Sequence, residues 1–352
     1  MTVEDLIAWV LLILVAAYAC AGGTDYGAGF WDLMAGGAER GRRPRWLVDH
    51  AMAPVWEVNN VWLIFILVVM WTGFPILFET IFSAMWLPLA LAAVGLVLRG
   101  AGFALRKPTR RLAGRRIYGA MFAVSSLLTP FFLGAVVGGL ATGRVAPGTP
   151  ASAEAWSNGT SVIAGLLTVA ATAFLGAVFL TADALRFGET GLVGYFRLRA
   201  WASLGVVAVL ALIGLGVTHN DARYVYDGLT SGTGLVLVLL AAVCALATAG
   251  LLHRSATGWA RLTATACVAL VVFAWGLAQR PYLIPTSLTV SEAAGSSTTL
   301  RWLALVTLIA VVLVGPALFL LYRLDTRGAL QSLTDADLRA APARGSGQDD
   351  PL

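Results

Sequence analysis

The chain has 352 residues, of which 59% are hydrophobic and 12% charged, and its mean hydropathy is +0.81. This composition excludes an ordinary soluble domain and indicates a protein that lies largely within a membrane. The net charge of +5 comes from arginines in short segments between apolar runs, so it does not indicate binding to nucleic acid.

Apolar runs of about 20 residues, the length that a helix needs to cross a bilayer, predict the architecture. Nine of them occur, at roughly 6–29, 57–78, 80–104, 117–141, 160–183, 199–218, 232–252, 258–278 and 302–323. Only a short break near Phe78–Glu79 separates the second run from the third, which predicts a tight helical hairpin and leaves the count open by one span. We therefore predict an all-α, polytopic membrane helix bundle of about nine spans. It comprises a transmembrane domain over 1–330 and, because 331–352 is polar, a disordered cytoplasmic tail.

The basic residues predict the orientation. If the chain starts outside, 20 of its 24 Lys and Arg residues fall on the inner side. The four exceptions are Arg144, Arg223, Arg280 and Arg301. Positive residues favour the cytoplasmic side, so we predict an N-terminus outside and a C-terminus inside, in the plasma membrane. No basic residue precedes the first run and no cleavage site follows it, so we expect a retained helix rather than a signal peptide.

Two carboxylates lie where membrane helices rarely carry them. Asp25 is near the inner end of the first run, and Glu57 opens the second. Ionised carboxylates are costly in a bilayer unless paired or hydrated, so they usually mark a path for protons or ions. At 1.5 Å per residue, Asp25 lies ~9 Å from the inner end of its helix. Arg99, near the inner end of the third run, has a similar depth. The three can share one layer, with one carboxylate paired with Arg99 and the other free to exchange protons.

Other interpretations of these residues stay open. All three charged residues could be interfacial, with side chains that reach water. Trp56 is typical of an aromatic belt at a membrane surface, and Asn59 of hydrogen bonding between helices. Small residues spaced for close helix contact occur in two runs, at Gly23, Gly27 and Gly29 and at Gly134 and Gly138.

The remaining side chains exclude several kinds of site. The three histidines, His50, His219 and His253, fall at or beyond predicted helix ends. Haem in a membrane bundle needs an axial His or Met that faces the core, so this chain alone is a poor candidate for a haem protein. The three cysteines have neither metal nor disulfide spacing. The sequence has no lysine-containing phosphate loop and no HExxH motif.

Five stretches, in order, resemble subunit II of the cytochrome bd family of quinol oxidases. Gly22–Gly29 reads GGTDYGAG where the family has DGFDLGVG, and Pro54–Ile64 reads PVWEVNNVWLI where the family has P-x-W-D-G-N-(E/Q)-V-W-L-I. FSAMW at Phe82–Trp86 and RGAGF at Arg99–Phe103 are similar to the family's FSGFY and RGxxF. Tyr282–Leu300 is similar to the family's Leu-Thr and Ser-rich segment before the last helix.

The resemblance implies a heterodimer. Subunit I would carry haem b, haem d and the quinol site, whereas this chain would bind no haem and hold no complete active site. It would support subunit I in an oxygen-reducing respiratory enzyme and line part of a cytoplasmic proton-uptake route. Glu57 corresponds to the carboxylate of that route, and Asp25 and Arg99 to positions that support the same region. Trp56 and Asn59, in the same stretch as Glu57, would support the route or contact the partner.

Several departures from the family pattern indicate a divergent branch. Glu57 replaces the usual Asp, Val58 replaces Gly, Gly22 replaces the first Asp of its stretch, and Glu292 stands where Asp is usual. A lipid or quinone bound within this chain is a further interpretation that stays open.

Two other functions stay open. A secondary transporter could couple a proton or cation to a solute through Asp25 and Glu57, although no pair of Gly- or Pro-broken helices occurs at corresponding places in two halves. In a purely structural membrane subunit, the same carboxylates would only join helices.

Overall fold

The computed structural model describes residues 2–37, 39–52, 56–106 and 112–326. Side chains at 52–59, 103, 106–116 and several positions after 317 lie outside the description. The chain falls into two compact units, Met1–Ala304 and Leu305–Leu352. The packing described below belongs to the first unit. The described part of the second, 305–326, continues the last helix, and the predicted boundary at 330/331 lies outside the described residues.

The described residues form an almost entirely helical chain with one small β-hairpin. The helices are α1 (Val3–Leu33), α2 (Arg42–Met52), α3 (Trp56–Gly73), α4 (Pro75–Ala84), α5 (Trp86–Arg106), α6 (Leu112–Ala141), α7 (Gly159–Arg186), α8 (Thr190–Asp221), α9 (Arg223–Thr230), α10 (Gly232–His253), α11 (Thr257–Ala278), α12 (Val290–Ala293) and α13 (Ser297–Thr326). The hairpin pairs β1 (Tyr282–Ile284) with β2 (Leu288–Thr289) in antiparallel fashion.

The all-α, membrane-spanning fold class is confirmed. Within the described ranges, seven helices are long and apolar enough to cross a membrane, namely α1, α6, α7, α8, α10, α11 and α13. A bent pair, Asn60–Gly73 and Pro75–Ala84, raises the count to eight if it forms one span, and Trp86–Gly102 is a shorter apolar helix. The count of nine spans and the outside position of the N-terminus remain predictions.

The predicted break near Phe78–Glu79 is wrong, because both residues lie inside α4. The chain instead bends by 117° between α3 and α4, at Phe74. Pro75 is the first residue of α4; it has no N–H to continue the hydrogen bonding of α3, and its ring disfavours a helical conformation at Phe74. Hydropathy does not register this bend, because the residues on both sides of it are apolar.

Helix α1 is central to the first unit, where it packs against α3, α6, α7 and α11. Its beginning, with Ile7 and Leu14, belongs to a first apolar cluster, and its end, with Ala28 and Trp31, belongs to a second. The segment between the two clusters carries Asp25. The carboxylate therefore lies at a polar level between two apolar layers.

Helices α1 and α7 touch backbone to backbone at two glycines. A Cβ atom on Gly27 would lie 1.8 Å from the carbonyl oxygen of Thr172, and one on Gly176 would lie 2.4 Å from the carbonyl carbon of Gly27. Neither position has room for a side chain. Nearby, the indole N–H of Trp31 donates to the carbonyl oxygen of Ala173 at 2.8 Å.

The other predicted small-residue face also makes a close contact. A Cβ atom on Gly134 would lie 2.7 Å from the carbonyl oxygen of Ala164, and one on Gly138 would lie 2.6 Å from that of Thr160. Both carbonyl oxygens belong to α7, so α7 packs closely against α6 as well as α1. The close-contact faces predicted from glycine spacing in the first and fourth apolar runs are confirmed.

The first apolar cluster gathers the short elements on the side where α1 begins, which we call the N-terminal side. Its buried members come from α1, α3, α4, the end of α6, the loop after α6, the hairpin, α12 and the start of α13. Helix α12 has a capping box in which Thr289 and Glu292 bond each other's backbone and side-chain groups. Hydrogen bonds from Thr289 lower the pKa of the Glu292 carboxyl.

We predict that Gly27→Ala disrupts folding, because a methyl group there would overlap the backbone of α7. Overpacking of this kind costs about 1–3 kcal/mol or more when the neighbours cannot move, and here the neighbour is backbone. The thermal midpoint of the detergent-purified protein should fall, and the yield of monodisperse protein with it. Gly194→Ala in α8 is the matched control, because nothing lies within 4 Å of its added Cβ atom. Equal midpoints for the two variants would contradict the close contact.

Candidate functional site

Asp25 lies in the last third of α1 and is 8% exposed. The helix continues without a break through this region, so the carboxylate is held within the bundle rather than on a loop. Its neighbours Gly27 and Gly29 have no side chains, which lets other helices approach closely. The low exposure does not support the interpretation of Asp25 as an interfacial residue that reaches water.

Arg99 lies on α5 and is buried between α1 and α6, with 4% exposure. Its Nη1 group donates to the Oγ atom of Ser126 at 2.7 Å, and Ser126 in turn donates to the carbonyl oxygen of Phe122 at 2.8 Å. The guanidinium lies over two aromatic rings, 4.7 Å from the ring centre of Tyr26 and 4.6 Å from that of Phe122. Such contacts stabilise a cation that has left water.

The structure places Arg99 at the level of Asp25. The guanidinium contacts Tyr26, the next residue after Asp25, and a Cβ atom on Gly29 would lie 3.1 Å from its Nη1 atom. Gly29 thus leaves the space that Arg99 and Ser126 occupy. Burial of the cation also excludes the interpretation in which its side chain reaches water.

The hydrogen bonding of Arg99 is incomplete. Within the described part of the chain, its Nη2 group is buried without a hydrogen-bond acceptor. Among the described residues, the guanidinium donates to a hydroxyl group, that of Ser126. Because the side chain of Glu57 lies outside the described residues, the pairing of Arg99 with one of the two carboxylates remains a prediction.

For the stretch that carries Glu57, the structure describes the helix but not the side chains. Trp56, Glu57 and Asn59 lie in the first turn of α3, and their side chains are outside the described residues. Helix α3 packs against α1, so the element that carries Glu57 is a direct neighbour of the one that carries Asp25.

A buried pair of tyrosines lies beside this layer. The hydroxyl groups of Tyr18 and Tyr26, both on α1, are 2.9 Å apart. Their side chains are 9% and 4% exposed, and the charges of Asp25 and Arg99 act on both hydroxyls. We did not predict this pair. An eight-residue spacing places two tyrosines near one helix face, and that spacing was the available signal.

A buried ion pair was also missed. Asp183, at the end of α7, pairs with Arg261, near the start of α11. Arg261 also donates to the carbonyl oxygen of Phe179 at 3.0 Å. The two residues occur at inner ends of predicted spans, but the sequence does not say which helix ends meet.

The ion pairs divide between the two ends of the bundle. At the N-terminal side, Arg280 pairs with Asp5 at 2.7 Å, and Arg144 pairs with Asp221. The hydrogen bond that Arg144 donates to the Asp221 carboxylate raises the pKa of its guanidinium. At the opposite side, where α1 ends, the pairs are Arg45–Asp32, Arg43–Glu189 and Asp183–Arg261. Among the described residues, no three His, Cys, Asp or Glu side chains are grouped to hold a metal ion.

Comparisons with known proteins cover nearly the whole chain. A family model described as cytochrome bd terminal oxidase subunit II matches residues 3–325. Cytochrome bd-I ubiquinol oxidase subunit 2 of Escherichia coli (strain K12) is 23% identical over 356 residues, which is 87% of this chain and 89% of that protein. Cytochrome bd ubiquinol oxidase subunit 2 of Bacillus subtilis (strain 168) is 24% identical over 258 residues, or 71% and 73%. A chain in the structure of bd oxidase from Geobacillus thermodenitrificans superposes with a TM-score of 0.76 at 25% identity, over 92% of this chain and 98% of that chain.

We predict that Arg99→Ala destabilises the protein, because it removes a buried cation from two aromatic rings and leaves the Ser126 hydroxyl without its donor. Desolvated cation–π contacts contribute about 2 kcal/mol, so the loss should reach at least that size. Thermal unfolding in detergent measures it.

Ser125→Ala provides the control for this prediction. Ser125 is buried beside Ser126, but its hydroxyl donates to the carbonyl oxygen of Phe122, on its own helix, at 2.7 Å. Its removal should cost about 1 kcal/mol or less, as for an ordinary hydrogen bond. Arg99→Ala would contradict the described packing if it were no more harmful than Ser125→Ala.

Proposed function

The chain belongs to the cytochrome bd terminal oxidase subunit II family, and from this we propose that it acts in a respiratory complex that oxidises quinol and reduces oxygen. The resemblance inferred from the motifs is confirmed, as is the membrane location. The relatives are named as subunit 2 of ubiquinol oxidases, which supports a quinol as the electron donor here. Neither a proton-coupled secondary transporter nor a purely structural membrane subunit is favoured by these comparisons.

We assign the redox cofactors to the partner, subunit I, in a heterodimer. In this chain His50, His219 and His253 all lie in the last turns of their helices, α2, α8 and α10. An axial haem ligand has to project from a helix interior toward a protected core, so the described histidines do not fit that group. Haem b and haem d, which the resemblance implies, are therefore proposed for subunit I, and the chemistry with oxygen is proposed to occur there.

For this chain we propose the delivery of protons from the cytoplasm. The observation that supports this role is the burial of Asp25 and Arg99 at one level of a membrane bundle, with Asp25 on α1, the helix that packs against the one that carries Glu57. Oxygen reduction consumes protons, and a carboxyl group can bind a proton on one side and release it on the other. Burial favours the neutral acid and a nearby cation favours the anion, so a carboxyl under both influences can alternate between them.

Within this route, Glu57 is the proposed proton carrier, and Asp25 the second carboxylate. Arg99 holds a positive charge at the same level and positions the α1 and α6 groups around it. Trp56 and Asn59 are proposed to support Glu57 or to contact subunit I.

Co-purification tests the complex itself. We expect the chain, isolated from native membranes in mild detergent, to bring with it a second membrane subunit and the reduced-minus-oxidised difference spectrum of haems b and d. A colourless chain that elutes alone would overturn the assignment to a haem-loaded complex.

We predict that Glu57→Gln slows oxygen reduction while assembly and haem content stay normal, because glutamine keeps the shape of the side chain but cannot carry a proton. The loss should be roughly 10²-fold, the lower range for removal of a group that transfers protons. Quinol-driven oxygen consumption by the purified complex, normalised to haem, measures it.

Glu79→Gln is the matched control, because Glu79 is an exposed carboxylate on α4, a helix of the N-terminal-side cluster. It should leave turnover unchanged. Normal turnover of a fully haem-loaded Glu57→Gln complex would contradict the proton-delivery role and favour a purely structural subunit.

A further inference from the structure

Resting on the proposed proton-delivery function, we propose that Tyr18 and Tyr26 form a two-hydroxyl proton relay that extends the route from the Asp25 layer toward the middle of the membrane. The two hydroxyl oxygens are 2.9 Å apart and buried, which is the distance at which a proton can pass along a hydrogen bond. Neither residue belongs to the motifs of the family resemblance as a functional position.

The position of the pair follows from Gly22. A Cβ atom on Gly22 would lie 3.0 Å from the ring of Tyr18, so the ring lies where a side chain at this position would project. The two hydroxyls therefore meet near Gly22, about one helical turn, or ~5 Å, further toward the N-terminal side than Asp25. Gly22 stands where the family has an aspartate. Here the space is taken by the tyrosine ring, and a phenolic hydroxyl takes the place of a carboxylate.

The pair also lies next to the charged layer. Tyr26 follows Asp25 directly in sequence, and its ring is the surface on which the Arg99 guanidinium lies. The charges of both residues act on both hydroxyl groups. The Nη2 group of Arg99 is a further buried donor at this level, without an acceptor in the described part of the chain. The relay thus begins where the proposed route holds its protons.

A purely structural purpose explains the pair poorly. The mutual hydrogen bond joins α1 to itself; among the described residues, only Tyr26 also bonds to another helix, through Thr129 of α6, so Tyr18 holds no two helices together. Two phenylalanines would fill nearly the same volume without burying two polar groups, and burying hydroxyls costs free energy that their hydrogen bonds only partly offset. What the hydroxyls add is the capacity of each to donate and to accept a proton at once.

The transfer balances without any redox step. A proton from the Asp25 layer binds the Tyr26 oxygen while the proton of that hydroxyl moves to the Tyr18 oxygen. Tyr18 then releases its own proton toward the site where the complex consumes protons with oxygen. Each oxygen loses one O–H bond and gains one, and rotation of the two hydroxyls restores the starting arrangement.

The test compares Tyr18→Phe, Tyr26→Phe and the double variant in the haem-loaded complex, reconstituted in vesicles. Proton uptake from the side where α1 ends, opposite the N-terminal side, is followed with a pH-sensitive dye during a single burst of oxygen reduction. The measurement is made in H₂O and in D₂O. Each single variant should slow uptake several-fold and raise the solvent isotope effect. The double variant should be no slower than the slower single variant, because one missing hydroxyl already interrupts the relay.

Tyr224→Phe is the control for loss of a hydroxyl. Tyr224 donates to the carbonyl oxygen of Arg280 at 2.8 Å on the N-terminal side, away from the layer, and its loss should not change uptake. Haem content and thermal midpoint report folding for every variant. A merely structural pair would lower the midpoint without raising the isotope effect, and that result overturns the relay.

Glu57→Gln, measured in parallel, separates this inference from the proposed function. If Glu57→Gln slows uptake and both tyrosine variants have normal uptake, the relay is wrong and the proton-delivery function stands. If none of the three changes uptake in haem-loaded complexes, both are wrong. Slow uptake in the tyrosine variants alone supports the relay and moves the entry of protons from Glu57 to Asp25.

Discussion

The contact between α1 and α7 at Gly27 and Gly176 is the constraint on which the rest of the first unit depends. With no side chain on either residue, the two backbones meet, and α1 becomes a central helix with neighbours on several sides. A polar residue on such a helix is buried whatever its own preference, which is why Asp25 is nearly inaccessible. Close packing of small residues, rather than the hydrophobic effect, joins helices inside a lipid environment.

Burial then determines how the charged groups are held. Arg99 contacts two aromatic rings and a serine hydroxyl, so much of its stabilisation comes from groups that carry no charge. A cation held in this way keeps its charge available to a neighbouring carboxyl group. At the two ends of the bundle, by contrast, arginines pair directly with aspartates and glutamates, and those pairs connect segments far apart in sequence.

Much of this was predictable from the sequence, for identifiable reasons. The fold class followed from composition, and the glycine faces followed from spacing that is local to one helix. The bend at Phe74 was not predicted, because the hydropathy of a window of apolar residues is the same whether the helix is straight or broken. The Tyr18–Tyr26 bond depends on ring orientation above Gly22, and the Asp183–Arg261 pair depends on which helix ends meet. Both are tertiary properties. The proposed roles of Asp25, Glu57 and Arg99 rest on their charges, on their predicted common depth and on the resemblance.

The ion pairs at the two ends of the bundle also bear on how many times the chain crosses from one end to the other. Helix α1 begins at the end where Asp5 meets Arg280 and finishes at the end where Arg43 meets Glu189, whereas α6 leads to Arg144, whose neighbour Val145 is buried in the same cluster as Ile7. Between the end of α1 and the end of α6 the chain must therefore change sides an odd number of times. The nine-span prediction has α3, α5 and α6 each cross once, which makes three such changes and leaves none for α4. On that prediction the ten residues of α4, from Pro75 to Ala84, turn back on the side that α3 reaches, and this return sets the direction of every later helix.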